Sequence, residues 1–486
     1  MVLYKNGISP KMFCCIQSIY KQVLALVKYN NSFSDMFSCS KGVRQGCVLS
    51  PILFALFIND LAIDIESSCA HGIQFHPDVV QLFLLLFADD VILIADTVYG
   101  LQKRINVLEC YCKDYSLTVN IDKTKVVVFK NGSVLSKYEK WVYDGKLLEC
   151  VTTYKYLGVL FFRNLSWSAH ISNVVNQAKK VLFKLLKSLQ LIKPTPMNIF
   201  FKIFDAKVVP VLLYGAEVWG LSLSFCEEIE VVHTLACKRI LGVKSATSNH
   251  VVRGECGRYP LYIYAFKRCL NYWCKILKMP DSRYPRKSYN MLVQQAIAGK
   301  TNWASRVKLL LYAYGFGYVW ENQHLVISIS FIDEFIQRLK CSYEQDWHFA
   351  LTNSPKYSSY LCYKFRFSRE FYLSAITINK FRVALARFRA SSHSLHIETG
   401  RYFGIPRQRR LCMVCKTGYV ESEYHFVLVC EKYYALRVTY IPQKYYVNPS
   451  IEQFYILMSS LHQSTIRSLA CYIYHAFKLR NSFLQK

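Results

Sequence analysis

The chain has 486 residues, is 52% hydrophobic and 15% aromatic, and carries 61 Lys and Arg against 32 Asp and Glu, a formal charge of +29. That length fits two to four domains, the composition excludes a disordered chain, and the positive excess points to an acidic polymer as partner, with a membrane surface as the rival. No run of about 18 apolar residues is free of charge, no signal peptide opens the chain, and the 19 cysteines are scattered as reduced thiols are. A nuclear or cytoplasmic protein without a membrane span is expected.

Residues 8 to 29 have helical spacing, with Ser9 as cap, Pro10 at the first helical position, and Ile16, Ile19 or Tyr20, Val23 and Val27 recurring. A short strand over 33–38 follows. Gly42-Val43-Arg44-Gln45-Gly46 is a glycine-bracketed polar loop, and Ser50-Pro51 opens a helix to about Ser67. The loop fits two readings: a capped strand-to-helix connection, or a place where backbone and Gln45 approach a nucleotide or template base. The apolar runs 79–86 and 91–95 read as buried strands, which puts Asp89 and Asp90 at the tip of a hairpin. Adjacent ionised carboxylates repel, and burial beside hydrophobic strands adds a desolvation cost, so a divalent cation is the natural compensation. Further on, the spacing predicts a helix over 99–115, a strand over 126–129, and a strand over 154–160 broken by Gly158, where backbone can approach closely.

The order of four stretches is specific. Gly42-Val43-Arg44-Gln45-Gly46-Cys47-Val48-Leu49-Ser50-Pro51, Phe87-Ala88-Asp89-Asp90, Leu117-Thr118-Val119-Asn120-Ile121-Asp122-Lys123-Thr124-Lys125 and Tyr156-Leu157-Gly158 together resemble successive motifs of the reverse transcriptases of non-LTR, LINE-type retrotransposons. The resemblance implies an α+β fold that begins with a partial polymerase palm, in which Asp89 and Asp90 hold two magnesium ions for in-line phosphoryl transfer. It implies that Arg44, Gln45, Gly46 and Phe87 lie near template and incoming nucleotide, and that Leu157 and Gly158 form a primer-grip turn. Lys123 or Lys125 is implied beside the departing pyrophosphate, where a cation or proton donor helps. RNA template, a DNA primer or target and deoxynucleoside triphosphates are the implied partners. Ser116 departs from the pattern, because the family often carries glycine there.

The family also uses an aspartate from a strand ahead of the first helix. In residues 1 to 40 the only acidic residue is Asp35, which follows that helix and does not match. The expectation is a chain that begins after this motif, without fingers or endonuclease, and that does not polymerise alone.

Beyond the palm, a helix is expected over 166–191, and Val209-Pro210-Val211-Leu212-Leu213-Tyr214-Gly215 resembles the segment where the same elements carry a thumb. The expected organisation is 1–165 partial palm, 166–224 thumb-like helices, 225–400 helical basic connecting region, 401–440 zinc-knuckle-like segment and 441–486 helical tail. Residues 361 to 410 hold eleven Lys or Arg against Glu370 and Glu398, interleaved with aromatics such as Tyr363, Phe365, Tyr402 and Phe403. With Phe381, Leu385 and Phe388 on one helix face and Arg382 and Arg389 pointing elsewhere, this pattern suits phosphate contact.

Cys412 and Cys415 are separated by two residues, His425 follows after nine more, and Cys430 after a further four. Two close cysteines pre-form half a tetrahedral site and the His and Cys close it, so the set reads as structural zinc. It resembles the C-terminal zinc knuckle of many such elements, for which binding of template RNA or target DNA is implied. Three readings follow: an RNA-directed DNA polymerase fragment, a non-catalytic nucleic-acid-binding remnant acting through the basic and zinc regions, or another polymerase family such as a group II intron maturase.

Overall fold

In the computed structural model, which describes residues 2–39, 42–68, 73–76, 79–130, 138–190, 196–323 and 329–485, the first third of the chain is packed on one helix, Val98–Asp114. Thr97 starts it: its backbone is extended and its hydroxyl accepts from the Gly100 amide at 3.0 Å. Ile105 on this helix joins Val126, Trp141, Tyr143 and Leu148, whereas Tyr111 joins Ile58, Leu61 and Ile65. Leu93 and Leu108 touch both clusters. The chain divides into two compact units, Met1–Tyr156 with Phe161–Ser166, and Leu157–Leu160 with Trp167–Lys486.

The first unit is held by these two small clusters. Its helix Pro10–Tyr20, capped by Ser9, buries none of its residues. The helix expected to continue to residue 29 stops there. Residues 24–38 instead form two small ladders, Leu24↔Ser38 with Ala25↔Phe37, and Lys28↔Phe33 with Tyr29↔Ser32. The reason is the turn at Asn30 and Asn31, both left-handed at φ 44° and 65°. Asparagine tolerates that region, and it sets the tight hairpin geometry that a helix cannot share. The single strand expected over 33–38 is correspondingly split.

Among the described residues every sheet has two strands, so the palm-like sheet implied by the resemblance is present as separate pairs. The run 79–86 is divided as well: Val79–Leu82 pairs with Ile73–His76, and Leu84–Phe87 pairs with Asp90–Leu93. Parallel pairing joins Lys125–Val126 to Glu149–Cys150. Ser116 closes the helix Val98–Asp114 with φ 54°, a left-handed position where a β-carbon is strained and glycine is not. Ser116→Gly is therefore expected to stabilise the first unit by about 0.5–1 kcal/mol after the extra entropy of an unfolded glycine is counted. A higher urea midpoint checks this; an unchanged or lower one contradicts it.

The second unit is helical, from Ser168–Gln190 to Gln463–Leu484, around one continuous core. Phe200, Trp273, Cys430 and Tyr472, drawn from all four segments expected after residue 165, are buried in it together. At its centre Arg389 is clamped by Glu255 at 3.0 Å and Glu370 at 2.7 Å, Lys364 binds Glu370 at 2.6 Å, and Tyr360 donates to Glu255 at 2.9 Å. Burial opposes charge on Glu255, yet Arg389 and then Lys364 hold its pKa below the ordinary value. No helix among the described residues is long and apolar enough to cross a membrane.

Candidate functional site

The acidic hairpin is built by alternation. In its register Leu84↔Leu93 and Leu86↔Val91 face the helix cluster, whereas Leu85↔Ile92 and Phe87↔Asp90 face the other way. Ala88 and Asp89 make the two-residue turn, with Ala88 left-handed at φ 53°. The expected buried strands are thus half-buried: Leu85 is 39% and Phe87 59% exposed. Asp89 and Asp90 are exposed too. The desolvation cost expected for them does not arise, because the tip projects past the cluster that covers only one face. Mutual repulsion remains. Tyr156 stands near enough to Asp90 that its phenol is pushed up, by burial first and by that carboxylate second.

Behind the hairpin, Arg104 is fully buried, donates to the Ile94 carbonyl and lies 5.2 Å from the Phe83 ring centre. It anchors the hairpin's outgoing strand to the central helix. Nothing in the sequence marked this arginine apart from its place on the helix.

The glycine-bracketed loop is held at both ends. Arg44 donates to the Ile19 carbonyl at 2.9 Å and lies over the Tyr20 ring, and Ser50 Oγ donates to the Arg44 carbonyl at 2.6 Å. Ser50 thus ties the loop instead of capping the helix Ser50–Ile58, which has no side-chain cap. Gln45 and Gly46 are exposed, and Gly46 is left-handed at φ 83°. Of the two candidate lysines, Lys125 is paired with Glu149 at 2.6 Å, whereas Lys123 is exposed at a turn whose carbonyl accepts from Tyr154.

Leu157 and Gly158 form a turn with both φ angles positive, 46° and 82°. Tyr214 clamps it: the phenol donates to the Leu157 carbonyl at 2.6 Å, and a β-carbon on Gly158 would meet the Tyr214 ring at 2.8 Å. Tyr214 belongs to the stretch that resembles the thumb segment, and nothing in the sequence pointed to its contact with the turn.

Cys412, Cys415, His425 and Cys430 come together, their ligand atoms all within 4.8 Å of one another. Cys415 Sγ lies 3.4 Å from His425 Nε2. The local folding explains this: Leu411 bridges to Val420, the Cys412 amide donates to the Tyr419 carbonyl at 2.7 Å, and one turn of π-helix, His425–Val429, carries the histidine to within reach of Cys430. The Cys430 thiol and then His425 draw the Cys412 pKa down to about 3, and sharing that proton pushes Cys430 up. A cluster that already favours thiolate and contains four soft donors fits a zinc ion, with no position left open for chemistry.

Supporting groups fix the cluster in the core. Arg437, 3% exposed, donates to the Val427 and Cys430 carbonyls at 2.9 and 2.7 Å. Arg480 binds Glu421 through two bonds of 2.7 and 2.8 Å. The basic stretch before the cluster needs correction. Arg382 and Arg389, expected to reach phosphate, are 6% and 1% exposed and serve the core, as does Lys364. Tyr363, Phe367, Tyr372 and Phe388 are buried as well, while Phe365, Tyr402 and Phe403 are exposed.

Residues 4–161 match the family model described as reverse transcriptase (RNA-dependent DNA polymerase). They are a reverse transcriptase domain of the non-LTR retrotransposon type. Among curated relatives, the RNA-directed DNA polymerase from mobile element jockey of Drosophila melanogaster is 24% identical over 248 residues, 49% of this chain and 26% of its own. The probable RNA-directed DNA polymerase from transposon BS of the same species is 25% identical over 222 residues, 44% of this chain and 24% of its own. The Pol polyprotein from type-1 retrotransposable element R2 of Popillia japonica is 23% identical over 257 residues, 51% of this chain and 40% of its own. The chain thus spans about a quarter of the length of the first two relatives.

Proposed function

We propose that this chain takes part in copying RNA into DNA, with Asp89 and Asp90 as magnesium ligands. The observation that carries the reading is the exposed carboxylate pair at the tip of a tight hairpin, inside the segment that matches the reverse transcriptase family. Hard, adjacent, solvent-facing carboxylates suit magnesium, which retains waters and takes few protein ligands. When bound, the metal supplies charge neutralisation for nucleotidyl transfer to a primer hydroxyl. Phe87, on the same hairpin face as Asp90, is placed to contact the incoming nucleotide, and the Arg44–Gly46 loop to approach the template. Exposed Lys123 is the better candidate for the pyrophosphate side, since Lys125 is neutralised by Glu149. Leu157 and Gly158 act as primer grip, residues 166–224 as a thumb, and the four-ligand cluster holds zinc for structure.

Among the described residues no third carboxylate joins the aspartate pair. Metal affinity and triphosphate positioning suffer accordingly, and loss of one positioned group costs about 100-fold or more in rate. The test is primer extension on an RNA template with magnesium, comparing the chain with its Asp89→Ala/Asp90→Ala variant. The expected result is that the primer–template is bound but at most a trace of extension is seen, all of it lost in the variant. Failure to bind, or extension that the variant retains, overturns the reading. Strong extension lost in the variant shows that a third carboxylate completes the site.

A further inference from the structure

A cavity of about 300 Å³ opens beside the zinc cluster, lined by Lys356, Arg401, Arg407, Arg410, Glu398 and Glu423. Four cations face two carboxylates, an excess of positive charge. Glu423 is engaged by His393 at 3.2 Å, and Glu398 is reached by Lys356 at 3.4 Å and Arg401 at 3.5 Å, long separations for ion pairs. Arg410 is scaffold, donating to the Ile405 and Ile397 carbonyls at 2.8 Å each. Arg407 is different: it is exposed, and among the described residues its guanidinium makes no hydrogen bond or ion pair. The cavity thus keeps Arg407 for an outside anion, while Lys356 and Arg401 share the single carboxylate of Glu398.

The chain next to Arg401 adds a second feature. Tyr402 and Phe403, which directly follow Arg401, are 71% and 79% exposed. Neighbouring cations and solvent-facing rings match the two chemical faces of a nucleotide, phosphate and base. We infer that this cavity binds a phosphate of a single-stranded polynucleotide, with an adjacent base stacked on Tyr402 or Phe403. The inference rests on the nucleic-acid reading above, and names the groups of the second unit that make the contact.

Fluorescence anisotropy of a labelled single-stranded oligonucleotide, titrated with the zinc-loaded full chain over a range of salt concentrations, tests it. Arg401→Gln/Arg407→Gln is expected to weaken binding about tenfold and to flatten the slope of log affinity against log salt by about 0.7, the share of the one phosphate contact that is lost. Arg407→Lys, which keeps the charge, is expected to stay within about twofold of the parent chain. Tyr402→Ala/Phe403→Ala is expected to weaken binding without changing the salt slope. Tight binding by the parent chain with unchanged affinity and slope in the double-arginine variant overturns the cavity assignment and leaves the nucleic-acid reading intact. No binding by the parent chain overturns both. Competition by a free nucleoside triphosphate, with none by unlabelled oligonucleotide, assigns the cavity to mononucleotides and overturns the strand assignment.

Discussion

Cys430→Ser is expected to abolish zinc binding and to destabilise the second unit by on the order of 5 kcal/mol. Small structural zinc sites gain roughly 10–16 kcal/mol from the metal. Here part of that is retained without it, because Phe426, Val427 and Leu428 remain packed in the core beside the cluster. What is lost is the cross-link that the metal makes between buried sulfurs. Cys412 and Cys430 are 3% and 1% exposed, and without the metal nothing cross-links the strand pair that carries Cys412 to the turn that carries His425 and Cys430. Metal analysis should give one zinc per parent chain and none per variant. Urea unfolding should show the chelator-treated parent chain behaving like the variant. A metal-free parent chain with the same unfolding midpoint as the zinc-loaded form contradicts the structural role.

The second large effect concerns the hairpin, and it separates function from folding. Asp89→Asn/Asp90→Asn is expected to lower divalent-metal affinity at the tip by at least about 100-fold, beyond the 10–100-fold that loss of a mere supporting group costs. Stability should stay within about 0.5 kcal/mol, since both side chains are exposed, and any change should be favourable because two adjacent like charges are removed. A pair that weakens the free protein slightly and gains only when metal arrives is what a binding site looks like energetically. Equal metal affinity in the two chains, measured by calorimetric titration, overturns the assignment.

The parts of this molecule legible in its sequence were those specified locally. The acidic turn lies between two apolar runs, and the four zinc ligands sit within nineteen residues, Cys412 to Cys430, so short-range spacing was sufficient for both. The Asn30-Asn31 turn is equally local, but the apolar spacing of Val23 and Val27 has the period of a helix and competes with the turn signal. Arg389 is another matter. Its partner Glu255 lies 134 residues away, and no pattern around residue 389 distinguishes an arginine aimed at phosphate from one neutralised in the core. The same distance hid the Tyr214 clamp on Leu157, 57 residues earlier. The half-exposed character of the hairpin was missed because a continuous apolar run does not reveal that only one face will be covered. The Ser116 position shows the opposite case: the departure from glycine was visible in the sequence, and its left-handed φ gives that departure a physical meaning.

Asp89 and Asp90 are proposed to hold the divalent metal. The most direct test replaces magnesium by ferrous ion in the zinc-loaded chain bound to a primer–template, adds ascorbate and peroxide, and maps where the locally generated radicals cut the backbone. Cleavage centred on residues 88–91, suppressed by excess magnesium and missing from Asp89→Asn/Asp90→Asn, is the predicted result. Cleavage elsewhere with none at the hairpin, or the same cuts in the variant, would contradict it.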